Sequence, residues 1–288
     1  EIIVTHGGIH AYYLAMQSIL NPGDEVLIPD PTWATHANMA TMLRANVIRI
    51  PAPAENGFIP RFESWEKALS PKTRVIVLNY PSNPTGAVAD IETQKALAAL
   101  ADKHGILLIS DEIYRSFVYD REFTSPATWN DRTIVIDGFS KSHSMTGLRL
   151  GFMHGPGYLI QQMLKLQQFT FVCAPHPVQW AGLTAWEMDL EGNRADYRRK
   201  RDLLANGVRK HYEILGGEGA FYLFLKTPWG TGSQFVAEAI RNNLLIIPGG
   251  VFSSSDSHFR VSFAAADEVI QEGAEILCRL AEQGGPSA

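Results

Sequence analysis

The chain has 288 residues, of which 45% are hydrophobic and 19% charged, and its formal net charge is −5. This is the composition of a globular protein of one or two domains, and the acidic balance argues against nucleic acid or a membrane surface as a partner. No apolar run approaches the roughly 20 residues of a membrane-spanning helix. Cys173 and Cys278 are far apart and form no disulfide framework or metal site, so we expect buried free thiols and a reducing, cytoplasmic location.

The first predicted element is a short apolar strand at 2–5, which His6-Gly7-Gly8 interrupts before a helix at 9–20. A glycine turn that leads into a helix leaves free backbone N–H groups at the positive end of the helix dipole, which suits an anion. A plain tight turn explains the same residues. The chain starts almost directly in this strand, without a methionine, so we expect an N-terminal segment of the domain to be missing from it.

Strands and helices then alternate along the chain. Strands are predicted at 25–29, 47–51, 74–78, 106–109, 133–136 and 148–153, and helices at 62–69, 90–104, 157–170 and 178–190. This order predicts an α/β fold in which a mostly parallel sheet lies between two layers of helices. A long polar helix from residue 193 marks the expected boundary between a large domain, 1–192, and a smaller C-terminal α+β domain, 193–288.

The smaller domain is predicted to contain strands at 221–225 and 259–263, helices at 232–242 and 270–282, and a flexible end at 284–288. Arg260 interrupts the second of these strands. It is either at an edge with its charge in water, or a strand-held guanidinium that clamps a carboxylate. The basic run at 198–201 is flanked by acidic residues, and we interpret it as a solvated helix face.

Polar and aromatic side chains follow several strands of the large domain. Trp33 follows the strand at 25–29 and a proline turn, where it either covers a planar ligand or packs in the core. Asn83 lies in a loop stiffened by two prolines. Asp111 follows the strand at 106–109, where it lies at the rim of the sheet or caps a helix, and Tyr114 should lie on the same side. The carboxyl ends of parallel strands meet at one edge, so these side chains should gather with Gly8 and Lys141.

Lys141 lies in a turn rich in serine and glycine between two apolar strands. A lysine amine held against apolar walls and a neighbouring cation has a lowered pKa and acts as a nucleophile towards a carbonyl. Small hydroxyl residues such as Ser140, turn amides and Arg149 are what a phosphate needs. The turn therefore suggests a Schiff-base lysine beside a phosphate site, with a solvated surface lysine as the alternative.

Three motifs now stand in chain order: Asn-Pro-Thr-Gly at 83–86, Ser-Asp-Glu-Ile-Tyr at 110–114, and Ser-Lys at 140–141 followed by Gly-Leu-Arg-Leu-Gly at 147–151. With these motifs the chain resembles the class I/II aminotransferases, which are pyridoxal-phosphate-dependent enzymes of fold type I. Segments 4–8, 21–26 and 219–222 match in the same order. The resemblance covers nearly the whole chain.

The resemblance implies a role for each residue around the cofactor ring. Lys141 would form the Schiff base with pyridoxal 5'-phosphate and move the substrate proton. Asp111 would keep the pyridine nitrogen protonated, which lets the ring accept electrons. Asn83 and Tyr114 would hydrogen-bond the phenolic oxygen, and Trp33 would stack on the ring.

The same resemblance implies which residues bind the cofactor phosphate and the substrate carboxylate. The amides of Gly8 and Ile9, the Ser140 hydroxyl and the Arg149 guanidinium would bind the phosphate. Arg260 would pair with the substrate α-carboxylate. The substrates would be an amino acid and a 2-oxo acid, and the family's active sites imply a homodimer.

Two departures from the family pattern affect cofactor retention. Gly138 stands where the family often has a serine, so one phosphate donor is lost. The family's N-terminal arm is absent from the chain. Each missing phosphate hydrogen bond is expected to cost about 1.5–3 kcal/mol.

Other functions are compatible with the same core residues. A β-eliminating lyase or a cyclising enzyme would keep the cofactor and change the reaction, because side-chain pockets decide the outcome. A non-catalytic domain on this fold is the third possibility, although Lys141 and Asp111 are both present. No second arginine can be assigned to a dicarboxylic side chain, so the sequence does not identify the amino acid.

Overall fold

The computed structural model describes residues 1–285, so the last three residues of the predicted flexible end lie outside the described part. Within the described residues the ten strands are β1 (Ile2–Thr5), β2 (Glu25–Asp30), β3 (Asn46–Pro51), β4 (Thr73–Asn79), β5 (Leu107–Asp111), β6 (Ile134–Gly138), β7 (Gly151–His154), β8 (Tyr222–Lys226), β9 (Ile247–Pro248) and β10 (His258–Ser262). The α-helices are α1 (Gly7–Ile19), α2 (Ala34–Met42), α3 (Phe62–Ala68), α4 (Ile91–Lys103), α5 (Phe139–Ser142), α6 (Gly157–Gln168), α7 (His176–Trp186), α8 (Glu191–Val208), α9 (Gly232–Arg241) and α10 (Asp267–Gln283).

Seven strands form the larger sheet in the order β1-β7-β6-β5-β4-β2-β3. Five neighbouring strands of this sheet run parallel to one another: β6, β5, β4, β2 and β3. Strand β7 runs antiparallel to both of its neighbours, β1 and β6. The predicted mostly parallel sheet is therefore confirmed. Its parallel strands all end at one edge, which is where open α/β sheets place their ligands.

The apolar runs of this sheet are buried on both faces. In β4, Val75 and Val77 pack with α1, α2 and α6, whereas Ile76 and Leu78 pack on the other face with α3 and α4. Successive side chains of a strand point to opposite faces, so a continuous apolar run is what a strand covered by helices on both sides requires. The fold is a three-layer α/β/α sandwich, as predicted.

A smaller antiparallel sheet has the order β8-β10-β9. It packs with α8, α9 and α10 around a core that includes Phe235 and Phe259. Because β10 is the central strand, Arg260 is not at a sheet edge, and that alternative was wrong. The helix predicted from residue 193 begins at Glu191. The division of the chain into domains at residue 192 stays a prediction.

Two other local expectations were wrong. Residues 148–150 are not part of a strand, because Thr146–Leu148 is a 3₁₀ turn and Arg149 is left-handed, with φ of 56°. The Arg149 side chain turns back, and its Nη1 donates a hydrogen bond to the Thr146 carbonyl at 2.8 Å. Cys173 is exposed and Cys278 is only partly buried, so the expected burial of the two thiols was wrong; both cysteines are free.

Asp90 accepts a hydrogen bond from the Thr93 N–H at 2.7 Å and so caps the N-terminus of α4. Within residues 1–285, no helix combines the length and the apolar character needed to cross a bilayer.

Candidate active site

A cavity of about 270 Å³ lies where the parallel strands of the large sheet end. This is close to the lower end of the roughly 300–1,000 Å³ of small-molecule sites. All ten residues singled out from the sequence line it: Gly8, Ile9, Trp33, Asn83, Asp111, Tyr114, Ser140, Lys141, Arg149 and Arg260. Four further lining residues were missed: Asn79, Ile113, Thr146 and Tyr222. The polar residues that follow separate strands are thus brought together in space.

Asp111 is the last residue of β5 and is only 6% exposed. Its Oδ2 is 3.0 Å from Nε2 of His36, and its Oδ1 accepts a hydrogen bond from the Ile113 N–H at 3.3 Å. In the described chain no helix begins directly after Asp111, because the next helical element is the 3₁₀ turn Pro126–Thr128. The carboxylate is therefore not a helix cap. A buried carboxylate with an imidazole partner is held in a fixed orientation at the cavity wall.

His36 is fully buried, and no motif in the sequence had indicated a place for it in the site. Its Nδ1 is 3.2 Å from the Thr32 Oγ1, so both ring nitrogens have partners. The only available signal was its spacing from Trp33, since residues three apart lie on one face of a helix. The two rings pack edge to face, with centroids 5.2 Å apart. Trp33 thereby lines the cavity directly in front of the His36–Asp111 pair.

Lys141 lies in the four-residue helix α5 and is half-buried. Burial lowers the pKa of its amine, and the nearby Arg149 and Arg260 guanidinium groups lower it further, while Asp111 opposes them. A lower pKa leaves more of the amine neutral at a given pH. The neutral amine is the nucleophilic form, so the site favours attack on a carbonyl.

One end of the cavity carries positive charge. Gly8 and Ile9 lie in the first turn of α1, where no side chain caps the helix. Their free N–H groups form part of the positive end of the helix dipole. The Arg149 guanidinium lies beside them: a Cβ atom on Gly7 would be 2.6 Å from its Nη2. Glycine at position 7, with φ of 77°, therefore makes room for the arginine. With the buried Ser140 close by, this end suits a phosphate.

Gly138, noted above as a lost phosphate donor, has a packing role. It ends β6, and a Cβ atom there would lie 2.8 Å from the Gly151 Cα and 2.9 Å from the Leu150 carbonyl oxygen. The strands β6 and β7 approach so closely at this point that a serine requires backbone movement. This close approach of the two strands lies directly before α5, the helix that carries Lys141.

The Arg260 guanidinium also lines the cavity. Its Nη1 donates to the Asn83 Oδ1 at 2.7 Å, and it stacks on the rings of Tyr222 and Phe252, with its Cζ 4.3 and 4.8 Å from their centroids. The Asn83 N–H donates to the Asn79 Oδ1 at 3.0 Å. Burial lowers the pKa of Arg260 from its usual value, which leaves the group a cation. The arginine is fixed on three sides and keeps donors free for an anion.

Tyr114 and Tyr222 complete the wall between these regions. Their hydroxyl oxygens are 2.9 Å apart, and burial raises the pKa of both phenols. Both hydroxyls therefore keep their protons at neutral pH. Tyr222 was missed because it comes from β8, 108 residues further along the chain.

Comparison with known proteins decides the family. Residues 1–277 match the family model described as aminotransferase class I and II. This chain is a member of that family. The aspartate/prephenate aminotransferase of Thermus thermophilus is 34% identical over 97% of the chain and 75% of that protein. The arginine–pyruvate transaminase of Pseudomonas aeruginosa is 33% identical over 94% of the chain and 72% of that protein.

The crystal structure of the aromatic aminotransferase of Pyrococcus horikoshii superposes with a TM-score of 0.94 at 30% identity, over 98% of this chain and 80% of that one. The aminotransferase therefore spans about three quarters of the length of these relatives. The family depends on pyridoxal phosphate, so the predicted fold, enzyme class and cofactor are confirmed.

The cavity fits this cofactor by the chemistry of its donors. It offers a lysine amine with a lowered pKa for the aldehyde and a buried carboxylate for the ring nitrogen. A helix N-terminus and a guanidinium suit the phosphate, and an indole suits the ring face.

Proposed function

We propose that this cavity is the active site at which the aminotransferase moves an amino group between an L-amino acid and a 2-oxo acid. The observation that carries the proposal is that Lys141 and Asp111 line one cavity together with two arginines, Arg149 and Arg260. A phosphorylated cofactor and a carboxylate substrate need two separate anion sites on either side of the reacting atoms. Arg149 and Arg260 supply them.

The phosphate of the cofactor would lie against the first turn of α1. The N–H groups of Gly8 and Ile9, the hydroxyl of Ser140 and the guanidinium of Arg149 would donate to it. Charged hydrogen bonds of this kind are about twice as strong as neutral ones, so they anchor the cofactor while its other end reacts.

The ring would lie between Trp33 and the sheet. Asp111, backed by His36, would hold the proton on the ring nitrogen. Asn83 and Tyr114 would hydrogen-bond the phenolic oxygen and so stabilise its ionised form. Bound pyridoxal phosphate supplies an aldehyde that condenses with amines and a ring that withdraws electrons from the bond broken at the substrate Cα.

Lys141 has two tasks in this proposal. Its neutral amine would hold the cofactor by its aldehyde, and when free it would take the proton from the substrate Cα. Burial and the two arginines favour the neutral amine that both tasks need.

Arg260 would bind the α-carboxylate of either substrate through the donors that Asn83 leaves free, and Trp33 and Asn83 would contact the substrate beside it. The relatives are named for aspartate and prephenate, for arginine and pyruvate, and for aromatic substrates. The compounds in these names all carry a carboxylate next to the reacting carbon and differ in the side chain. We therefore propose the substrate class and no individual amino acid.

We also propose that the aminotransferase is a homodimer. Large apolar side chains, each more than half exposed, cluster on α7 and on the segment before it: Phe169, Phe171, Trp180, Leu183 and Trp186. Large apolar patches on a protein surface commonly mark sites of interaction with another protein. The cytoplasmic location stays a prediction.

Borohydride reduction of the protein with added pyridoxal phosphate, followed by peptide mapping, tests the site. We expect one labelled residue, Lys141, and no label in Lys141→Ala. Label spread over several lysines, or none on Lys141, would contradict the proposal.

Product analysis separates the reactions. With an amino acid and a 2-oxo acid, the amino group should appear on the oxo acid. Release of free ammonia from the amino acid would favour a β-eliminating lyase instead. The matched variant Arg260→Lys keeps the charge and loses the planar fork, so it should raise KM for the amino acid without changing the label on Lys141.

A further inference from the structure

We propose that Tyr222 is a positioning residue of this site: its hydroxyl donates to the Tyr114 hydroxyl and so directs the Tyr114 proton towards the phenolic oxygen of the cofactor. The inference rests on the proposed function and extends it to a residue of the second sheet. Tyr222 is the first residue of β8, whereas Tyr114 follows β5.

The geometry isolates the two hydroxyls as a pair. Their oxygens are 2.9 Å apart, and the rings meet edge to face with centroids 5.7 Å apart. Tyr114 is 4% exposed and Tyr222 is 6% exposed. Within residues 1–285 each of the two hydroxyls has the other as its sole hydrogen-bond partner. A change in the hydrogen bonding of one hydroxyl therefore acts directly on the other.

The direction of the bond follows from counting protons. Each phenol carries one proton, and burial raises the pKa of both, so both stay protonated at neutral pH. Once the Tyr114 hydroxyl donates its hydrogen bond to the cofactor oxygen, it can only accept a hydrogen bond from Tyr222. A hydroxyl that accepts a hydrogen bond becomes a better donor itself, because bonds in a chain polarise one another. Tyr222 thus strengthens the bond that Tyr114 makes.

The ring of Tyr222 has a separate task. The Arg260 guanidinium stacks on its face with its Cζ 4.3 Å from the centroid, an arrangement that needs the ring and not the hydroxyl. Tyr222→Phe therefore removes one function and keeps the other. This separation makes the proposal testable in the folded holoenzyme.

The test is the visible absorbance of the holoenzyme as a function of pH. A hydrogen bond to the phenolic oxygen stabilises its anion, so a weaker bond makes the lysine-bound cofactor lose its remaining proton at higher pH. Tyr222→Phe should raise the midpoint of the absorbance change by about 0.5–1 pH unit, the size expected of one neutral hydrogen bond. KM for the amino acid should stay within about twofold, because the ring under Arg260 remains.

Two further variants separate this role from a structural one. Tyr212 is a buried tyrosine of the same core whose hydroxyl donates to the Leu277 carbonyl at 2.9 Å, away from the cavity, so Tyr212→Phe should leave the midpoint unchanged. Tyr114→Phe should raise the midpoint more than Tyr222→Phe does. Because Tyr222 acts through Tyr114, the double variant should match Tyr114→Phe alone.

An unchanged midpoint in Tyr222→Phe, or a double variant that shifts beyond Tyr114→Phe, would overturn the role of Tyr222 and leave the proposed function intact. A wild-type protein that forms no visible band with pyridoxal phosphate would overturn the proposed function itself, and this inference with it.

Discussion

The Nε2 of His36 lies 3.0 Å from the Oδ2 of Asp111, and the imidazole is completely buried. The carboxylate thus has a partner behind it, on the side away from the cavity. The hydrogen bond fixes the orientation of this carboxylate at the cavity wall.

His36→Phe fills the space and removes the hydrogen bond. We expect kcat to fall roughly 10–100-fold, the effect of losing one hydrogen bond to a charged group. Steady-state kinetics at saturating cofactor measure it. Thr32→Val, which removes only the contact to Nδ1, serves as the matched control and should cost less. Full kcat in His36→Phe would mean that Asp111 does not depend on its partner.

Arg149→Ala should weaken the binding of pyridoxal phosphate about 10–100-fold, because the guanidinium at the end of α1 is lost. Pyridoxal, which has no phosphate, is the built-in control, and its affinity should barely change. Fluorescence titration of both ligands gives the two dissociation constants. An equal loss for both would place Arg149 outside the phosphate site.

Gly138→Ser restores the residue common in the family and should destabilise this chain. The added Cβ meets the Gly151 Cα at 2.8 Å, and overpacking of this kind costs about 1–3 kcal/mol. Urea unfolding measures the loss. Gly147→Ala is the control, because a Cβ there meets no atom within 4 Å. Equal stability of the wild type and Gly138→Ser would show that β6 and β7 separate easily.

Burial raises the pKa of Asp137 to about 7, since its side chain is only 13% exposed and its ion pair with Arg115 is long, at 3.9 Å. A raised pKa means that the folded protein binds this proton more tightly than the unfolded chain does. The contribution to stability is therefore complete below about pH 4 and is lost as the pH rises through about 7.

Asp137→Asn removes this pH dependence, and its amide oxygen can still accept the hydrogen bond from the Gly138 N–H. Relative to the wild type, the variant should gain about 2–4 kcal/mol in unfolding free energy between pH 4 and pH 8. Urea unfolding at several pH values measures the gain. Asp131→Asn changes an exposed carboxylate and should run parallel to the wild type. Parallel curves for Asp137→Asn would contradict the raised pKa.

The sequence by itself determined the order along the chain of the strands in the large sheet and the residues that follow them, but it did not predict α2, the helix that carries His36. Apolar runs such as 75–78 identify strands covered on both faces, and the carboxyl ends of parallel strands share one edge. Asn83, Asp111 and Lys141 could therefore be assigned to one site from local pattern alone. The family motifs extended the assignment to residues outside this pattern, such as Ile9 at the start of a helix and Arg149 in a turn.

Only the tertiary structure decided which side chains stand behind those residues. His36 meets Asp111 across 75 residues of sequence, and Tyr222 meets Tyr114 across 108. Arg260 could be assigned to a central strand only once β8 and β9 were seen on either side of it. Contacts of this kind depend on how separate elements pack, and a local pattern records only which face of its own element a residue occupies.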